Sequence, residues 1–148
     1  MILREVYQRI RAVEVMHRAA AASARHFCLV CQANPAFLHG KDLRVRDIRD
    51  CVADLEDTYL IRMYAIIEIV LRDFWANVCL RKTRPQAKDL IDRIAARSSI
   101  LAEDIGRVHR VREYRNWLLH GGRESPRISL ADSLKYLSRF LSRLPPRW

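Results

Sequence analysis

From Val45 to Leu80 an apolar residue returns every three or four positions, at Ile48, Val52, Leu55, Tyr59, Met63, Ile66, Val70, Phe74 and Val78. Neither Gly nor Pro interrupts the run. Residues so spaced line one face of an α-helix, whereas a strand needs alternation at every second residue. A long amphipathic helix must bury its stripe against other helices. The same spacing fills Ile2 to Gln32, and only 4 Gly and 5 Pro punctuate the whole chain of 148 residues. The sequence therefore predicts an all-α fold. Half of the residues are hydrophobic, enough for a packed core.

The punctuation divides the chain. A first helix covers Ile2 to Gln32, and Asn34-Pro35 with His39-Gly40-Lys41 mark a loop. A second helix covers Val45 to Leu80. Arg81 to Pro85 is a break, and Pro85 opens a short helix to Ala96. Ser98-Ser99 breaks again, with a serine placed to cap a fourth helix from Ile100 to His120. Gly121 provides a left-handed C-cap. After a loop over Gly122 to Pro126, Ser129 and Asp132 form an S-x-x-D capping box for a last helix to about Leu144. Pro145-Pro146 stops it, and the closing P-P-R-W reads as a mobile tail. Long helices joined by short loops predict an antiparallel helical bundle of four to five helices, a single domain over residues 1–148.

Net charge is +10, and 23 of the 27 basic residues are arginine. Arginine grips phosphate with a planar fork, so one reading is a nucleic-acid or other polyanionic partner. The other is the solvated surface of an arginine-rich proteome, since the arginines form no single tract. The first turns are charged and no apolar run is long enough to cross a membrane. A reducing cytoplasm is expected, with Cys28, Cys31, Cys51 and Cys79 as core thiols. Cys28-x2-Cys31 with His26 and His39 nearby resembles half of a zinc site, but no second ligand pair accompanies it. No cofactor and no metal site is expected. Trp75 and Trp117 read as core or interface residues.

The fourth helix carries the anomaly. Ile105, Val108, Val111, Tyr114, Leu118 and Leu119 share a broad inward face, and Arg115 lies in the middle of it. Asn116 and His120, four apart, share a neighbouring face, with Arg112 and His109 close by. A guanidinium stays charged and is costly to bury unpaired. Either Arg115 snorkels to solvent along its stem, or the face opens onto a polar pocket or a subunit interface. Glu68 is the only charge in M-Y-A-I-I-E-I-V-L, Met63 to Leu71. It either pairs with Arg115 across the helices or reaches solvent and pairs with Arg72 one turn on. His120 at a helix C-terminus is also favoured by the macrodipole alone.

R-N-W-L-L-H, Arg115 to His120, resembles the R-x4-H motif of HEPN domains, in the common form with a polar residue after the arginine. Size, helical class and the motif's place late in the chain fit that family, and Glu68 fits its lone acidic residue on an earlier helix. The resemblance implies a HEPN-like bundle and metal-independent RNA cleavage through a 2′,3′-cyclic phosphate. It implies a homodimer in which two motifs meet in one composite active site, and a toxin or defence effector with an antitoxin or regulatory protein as partner. Arg115, His120 and Asn116 would be catalytic, and Glu68, Arg112 and His109 supporting. His120 would move protons, Arg115 would stabilise charge on the phosphate, and Asn116 would orient either. A toxin branch has Tyr two residues after the His. Gly122 stands there, so control through that tyrosine is not implied. The alternative is a non-catalytic helical module that binds nucleic acid or an acidic protein.

Overall fold

The computed structural model describes residues 1–121 and 124–148. Among them are five α-helices: α1 (Leu3–Ala33), α2 (Val45–Asn77), α3 (Ala87–Arg97), α4 (Ala102–His120) and α5 (Leu130–Leu141). A 3₁₀ turn, Pro35–Leu38, follows α1. There is no β-strand among the described residues, so the all-α expectation holds. Gly122, where the absent toxin-branch tyrosine would fall, lies outside the described residues.

α1 and α2 pack along each other, but the core occupies only part of their lengths. Leu3, Val6, Ile10 and Val13 of α1 meet the stretch of α2 from Leu60 to Trp75, with Leu90, Ile91 and Ile94 of α3, Val108, Val111 and Tyr114 of α4, and Leu137, Phe140 and Leu141 of α5. No residue of α2 before Leu60 is buried. The expected stripe is corrected accordingly. Ile48, Val52, Leu55 and Tyr59 are only half-buried, because the core gathers around α2 from Leu60 onward, and α4 and α5 reach back along it to Asp57 and Glu56. Beyond Tyr59 the buried face widens to include Leu60, Tyr64, Ile67, Leu71 and Trp75.

Three local expectations are also corrected. Neither Ser98 nor Ser99 caps α4. Ser98 ends α3, and Leu101 begins α4 without a side-chain cap. Glu103 and Asp104 instead place negative charge at the positive end of the helix. Asp104 is 1% exposed and held by Arg107 (3.3 Å) and by Arg139 of α5 (2.9 Å). The P-P-R-W tail is not mobile but anchored. The backbone N–H of Leu3 donates to Pro146 O (3.0 Å), and the Trp148 indole donates to Asp73 (2.9 Å) and sets its ring edge-on to Phe74. Cys28, Cys31 and Cys79 are buried free thiols, whereas Cys51 is exposed, on the open half of α2.

Ser129 does cap α5, accepting from the Asp132 N–H at 3.0 Å. The next orphan donor, Leu130 N–H, is taken by Glu56 of α2 at 2.9 Å. A long-range carboxylate thus completes a cap that local sequence only half specifies. Among the described residues no helix is long and apolar enough to cross a membrane.

Candidate functional site

Tyr114 fixes the motif end of α4. Its ring is buried and stacks on Trp117 at 5.8 Å, and its hydroxyl donates to Asp57 of α2 at 2.8 Å. With Tyr114 locked, Arg115 is turned toward α2. Its guanidinium lies 5.5 Å from the centroid of the Tyr64 ring, a cation–π arrangement. Arg115 Nη1 donates to Asn116 Oδ1 at 3.0 Å, while its buried Nε has no partner.

The Glu68–Arg115 pair is not formed. Glu68 Oε1 accepts instead from Arg72 Nη2 (2.6 Å) and Nε (3.1 Å), one turn on in α2. A partner on the same helix is already within reach, so the pair needs no particular packing of α2 on α4. Arg72 also donates to Pro85 O at 3.3 Å. Around the Tyr64 phenol, Arg112, Arg115 and Arg72 thus stand against one carboxylate, Glu68. Burial pushes that phenol up to about 12, Glu68 adds to the shift, and the three guanidiniums oppose it.

The other strip residues have partners of their own. His109 Nε2 lies 2.6 Å from Asp92 Oδ1 of α3, and Arg112 donates to Glu113 at 3.0 Å. His109 Nδ1 and Arg112 Nε are buried without partners. His120 is the last residue of α4 and is exposed. Gly121 follows with φ 66° and ψ −147°. The positive φ is as expected, but the ψ lies far from the left-handed helical value, in a region only glycine occupies readily. Leu119 is corrected too: it is 44% exposed and does not face inward, because the end of α4 runs past the core.

His120 and Asn116 line one open cavity of about 570 Å³ with Glu113, Trp117, Glu124 and Pro126. Arg115 does not line it. On the helix Arg115 and His120 are about 140° apart, and their side chains open on different sides of α4. Asn116 is the member common to both sides. The apolar face offered for a dimer interface is used within the chain: Val108, Val111 and Tyr114 are buried in the core.

Sequence reasoning missed Tyr64, Asp92, Asp57 and Asp104. Tyr64 carried a faint signal, one turn before Glu68 on the same helix face. Asp57 and Asp92 sit among ordinary surface charges in the sequence, and only packing reveals them. Among the described residues no three His, Cys, Asp or Glu side chains gather as metal ligands would. No protein-family profile, curated protein or solved structure matches the chain.

Proposed function

We propose that the protein is a metal-independent endoribonuclease of HEPN type, acting as a homodimer with one composite active site. The observation that carries this reading is the position of Asn116, bonded to the Arg115 guanidinium and lining the same cavity as His120. Asn116 thereby stands between the other two residues of the R-N-x3-H motif, bonded to one and beside the same cavity as the other. In a single chain Arg115 and His120 point apart, so a cleft shared by two motif helices is the simplest way to set both on one phosphate. Exposed Leu119 supplies apolar surface beside the motif for such a contact.

In this reading one His120 takes the proton from the 2′-OH of RNA, and O2′ attacks the adjacent phosphorus. The P–O5′ bond breaks, and His120 of the second chain gives a proton to the leaving O5′. The products are a 2′,3′-cyclic phosphate and a 5′-hydroxyl. Arg115 stabilises charge on the non-bridging oxygens, and Asn116 holds Arg115. Such an enzyme fits a cytoplasmic toxin or defence effector held in check by a protein partner.

The test is cleavage of a labelled RNA in EDTA by wild type and His120→Ala, with product ends identified. Wild type should yield cyclic-phosphate ends and the variant none at unchanged melting temperature. A fully active His120→Ala protein would falsify the assignment. A second reading, a non-catalytic helical module for nucleic acid or an acidic protein, draws on the internal partners of His109 and Arg115. It predicts RNA binding without cleavage by wild type.

A further inference from the structure

A cavity of about 860 Å³ lies away from His120, between the end of α2 and the segment 81–86. Arg72, Arg81, Lys82 and Arg84 line it, and among the described residues no carboxylate does. The segment is held at three points. Arg81 N–H donates to Trp75 O (3.3 Å), the Trp75 indole donates to Thr83 Oγ1 (3.3 Å), and Arg72 donates to Pro85 O (3.3 Å). Those bonds use backbone and Thr83 and leave the side chains of Arg81, Lys82 and Arg84 exposed. Among the described residues none of the three has a carboxylate within salt-bridge distance. Exposed arginines elsewhere, Arg4, Arg9 and Arg11 among them, also lack an acid partner among the described residues; what sets Arg81, Lys82 and Arg84 apart is that they line one recess together. A fixed, concave run of unpaired cations is a site whose counter-charge comes from outside the chain.

We propose that this basin grips the phosphodiester backbone of single-stranded RNA. The choice of RNA rests on the proposed function; the basin itself does not. Three cations within four residues match a ligand with a charge on every unit, and arginine forks suit phosphate. A membrane presents its charge on a plane, which a recess meets poorly. An acidic protein partner would need an exposed apolar anchor at the centre of the contact; Leu80, 81% exposed, precedes the cations in the chain but does not line the recess, and Trp75, which does, is buried. Arg72 belongs both to the basin and to the charge cluster around Tyr64 and Arg115, so a strand lying in the basin leads toward the motif helix.

The probe is a fluorescent 2′-O-methyl RNA oligonucleotide, which lacks the nucleophile, so binding is read apart from cleavage. Anisotropy titrations over a range of salt compare wild type, the triple variant Arg81→Ser/Lys82→Ser/Arg84→Ser, and a charge-matched control, Arg4→Ser/Arg9→Ser/Arg11→Ser, on exposed positions of α1. The basin variant should lose at least about tenfold in affinity, and its slope of log K against log salt should flatten by about 2, at roughly 0.7 per lost phosphate contact. The control should stay near wild type. If circular dichroism finds the triple variant unfolded, Lys82→Ser alone decides, with an expected flattening of about 0.7. Equal losses in basin variant and control overturn the proposal, as does an unchanged slope. So does a basin variant that loses binding only to polyglutamate, to anionic vesicles or to duplex RNA. Failure of the nuclease reading would appear separately, as uncleaved unmodified RNA with the basin still binding.

Discussion

Arg115 lies with its guanidinium 5.5 Å from the centre of the Tyr64 ring, on the side of α4 away from His120. The contact answers how a permanent cation is kept on an apolar face. It is stacked on an aromatic face and bonded to Asn116, not neutralised by an acid. Replacing Arg115 by Lys keeps the charge but loses the planar fork and its stack. Arg115→Lys should lower stability by about 1 kcal/mol, read by urea denaturation. It should also slow RNA cleavage by on the order of 10²–10³-fold. Cleavage at the wild-type rate would remove Arg115 from the chemistry.

Glu68 is bound to Arg72 in an i,i+4 pair that is partly open to water, with side chains 23% and 40% exposed. Pairs of this kind contribute about 0.3–0.5 kcal/mol. Glu68→Gln should therefore cost less than about 1 kcal/mol in chemical denaturation and leave the Arg115–Tyr64 contact in place. A loss several times larger would mean that Glu68 also serves Arg115.

Tyr64 and Tyr114 make the fold sensitive to alkali. Burial leads in pushing both phenols up to about 12 from an ordinary 10.0, with the hydrogen bond to Asp57 adding at Tyr114. A raised folded-state value favours the protonated form in the native protein. Below pH 10 both states hold the proton, and the contribution is complete. Between about 10 and 12 the unfolded chain loses its protons first, so stability falls as pH rises, by on the order of 2 kcal/mol for each phenol. Absorbance at the phenolate band should show these two tyrosines titrating late and together with unfolding. Titration of all five near pH 10 in folded protein would refute it.

The helices were legible in the sequence because each had to repeat its apolar residues at the helical period. That constraint is local, and the start of α2 at Val45 and the end of α4 at His120 match it directly. What the period does not encode is how many neighbours each turn meets. Ile48 and Met63 occupy the same stripe, yet only Met63 is buried, because the packed core gathers around α2 from Leu60 onward. Partner choice was illegible for a related reason. Glu68 faced two arginines, and the distances separating Arg72 from Arg115 exist only after packing. Trp148 looked like a loose end because its anchor, Asp73, lies 75 residues earlier.

Asp104 is a buried carboxylate held by guanidiniums from two helices, Arg107 of α4 and Arg139 of α5. Removing one partner of a buried pair leaves a charge without compensation, at a cost of about 3–5 kcal/mol. Here the opposite substitution is the milder one. Arg107 and Arg139 keep part of their surface in water, with side chains 25% and 45% exposed, so Arg139→Ala leaves Asp104 with Arg107. Asp104→Ala deletes both ion pairs and should lower stability more than Arg139→Ala, which deletes one, but by less than about 3 kcal/mol, because the two guanidiniums left behind are partly hydrated. Equal small losses in denaturation would show that the site tolerates water.

The composite active site makes the most specific prediction. A two-fold axis through the motif helices gathers two Arg115 and two His120 around one cleft. An Arg115→Ala dimer then has both histidines and no guanidinium, and a His120→Ala dimer has the reverse. Neither should cleave RNA. Because one His120 is the base and the other the acid, a dimer of wild type with His120→Ala lacks one of the two and should be as silent as His120→Ala itself, so an excess of His120→Ala should extinguish wild-type cleavage. Covalent tagging of the two proteins, with isolation of the mixed species, ties the loss to it. Wild-type activity should vanish on dilution below the dimer dissociation constant. Monomeric protein that cuts RNA at full rate, or isolated mixed dimers that keep half of the wild-type rate, would rule out a shared cleft.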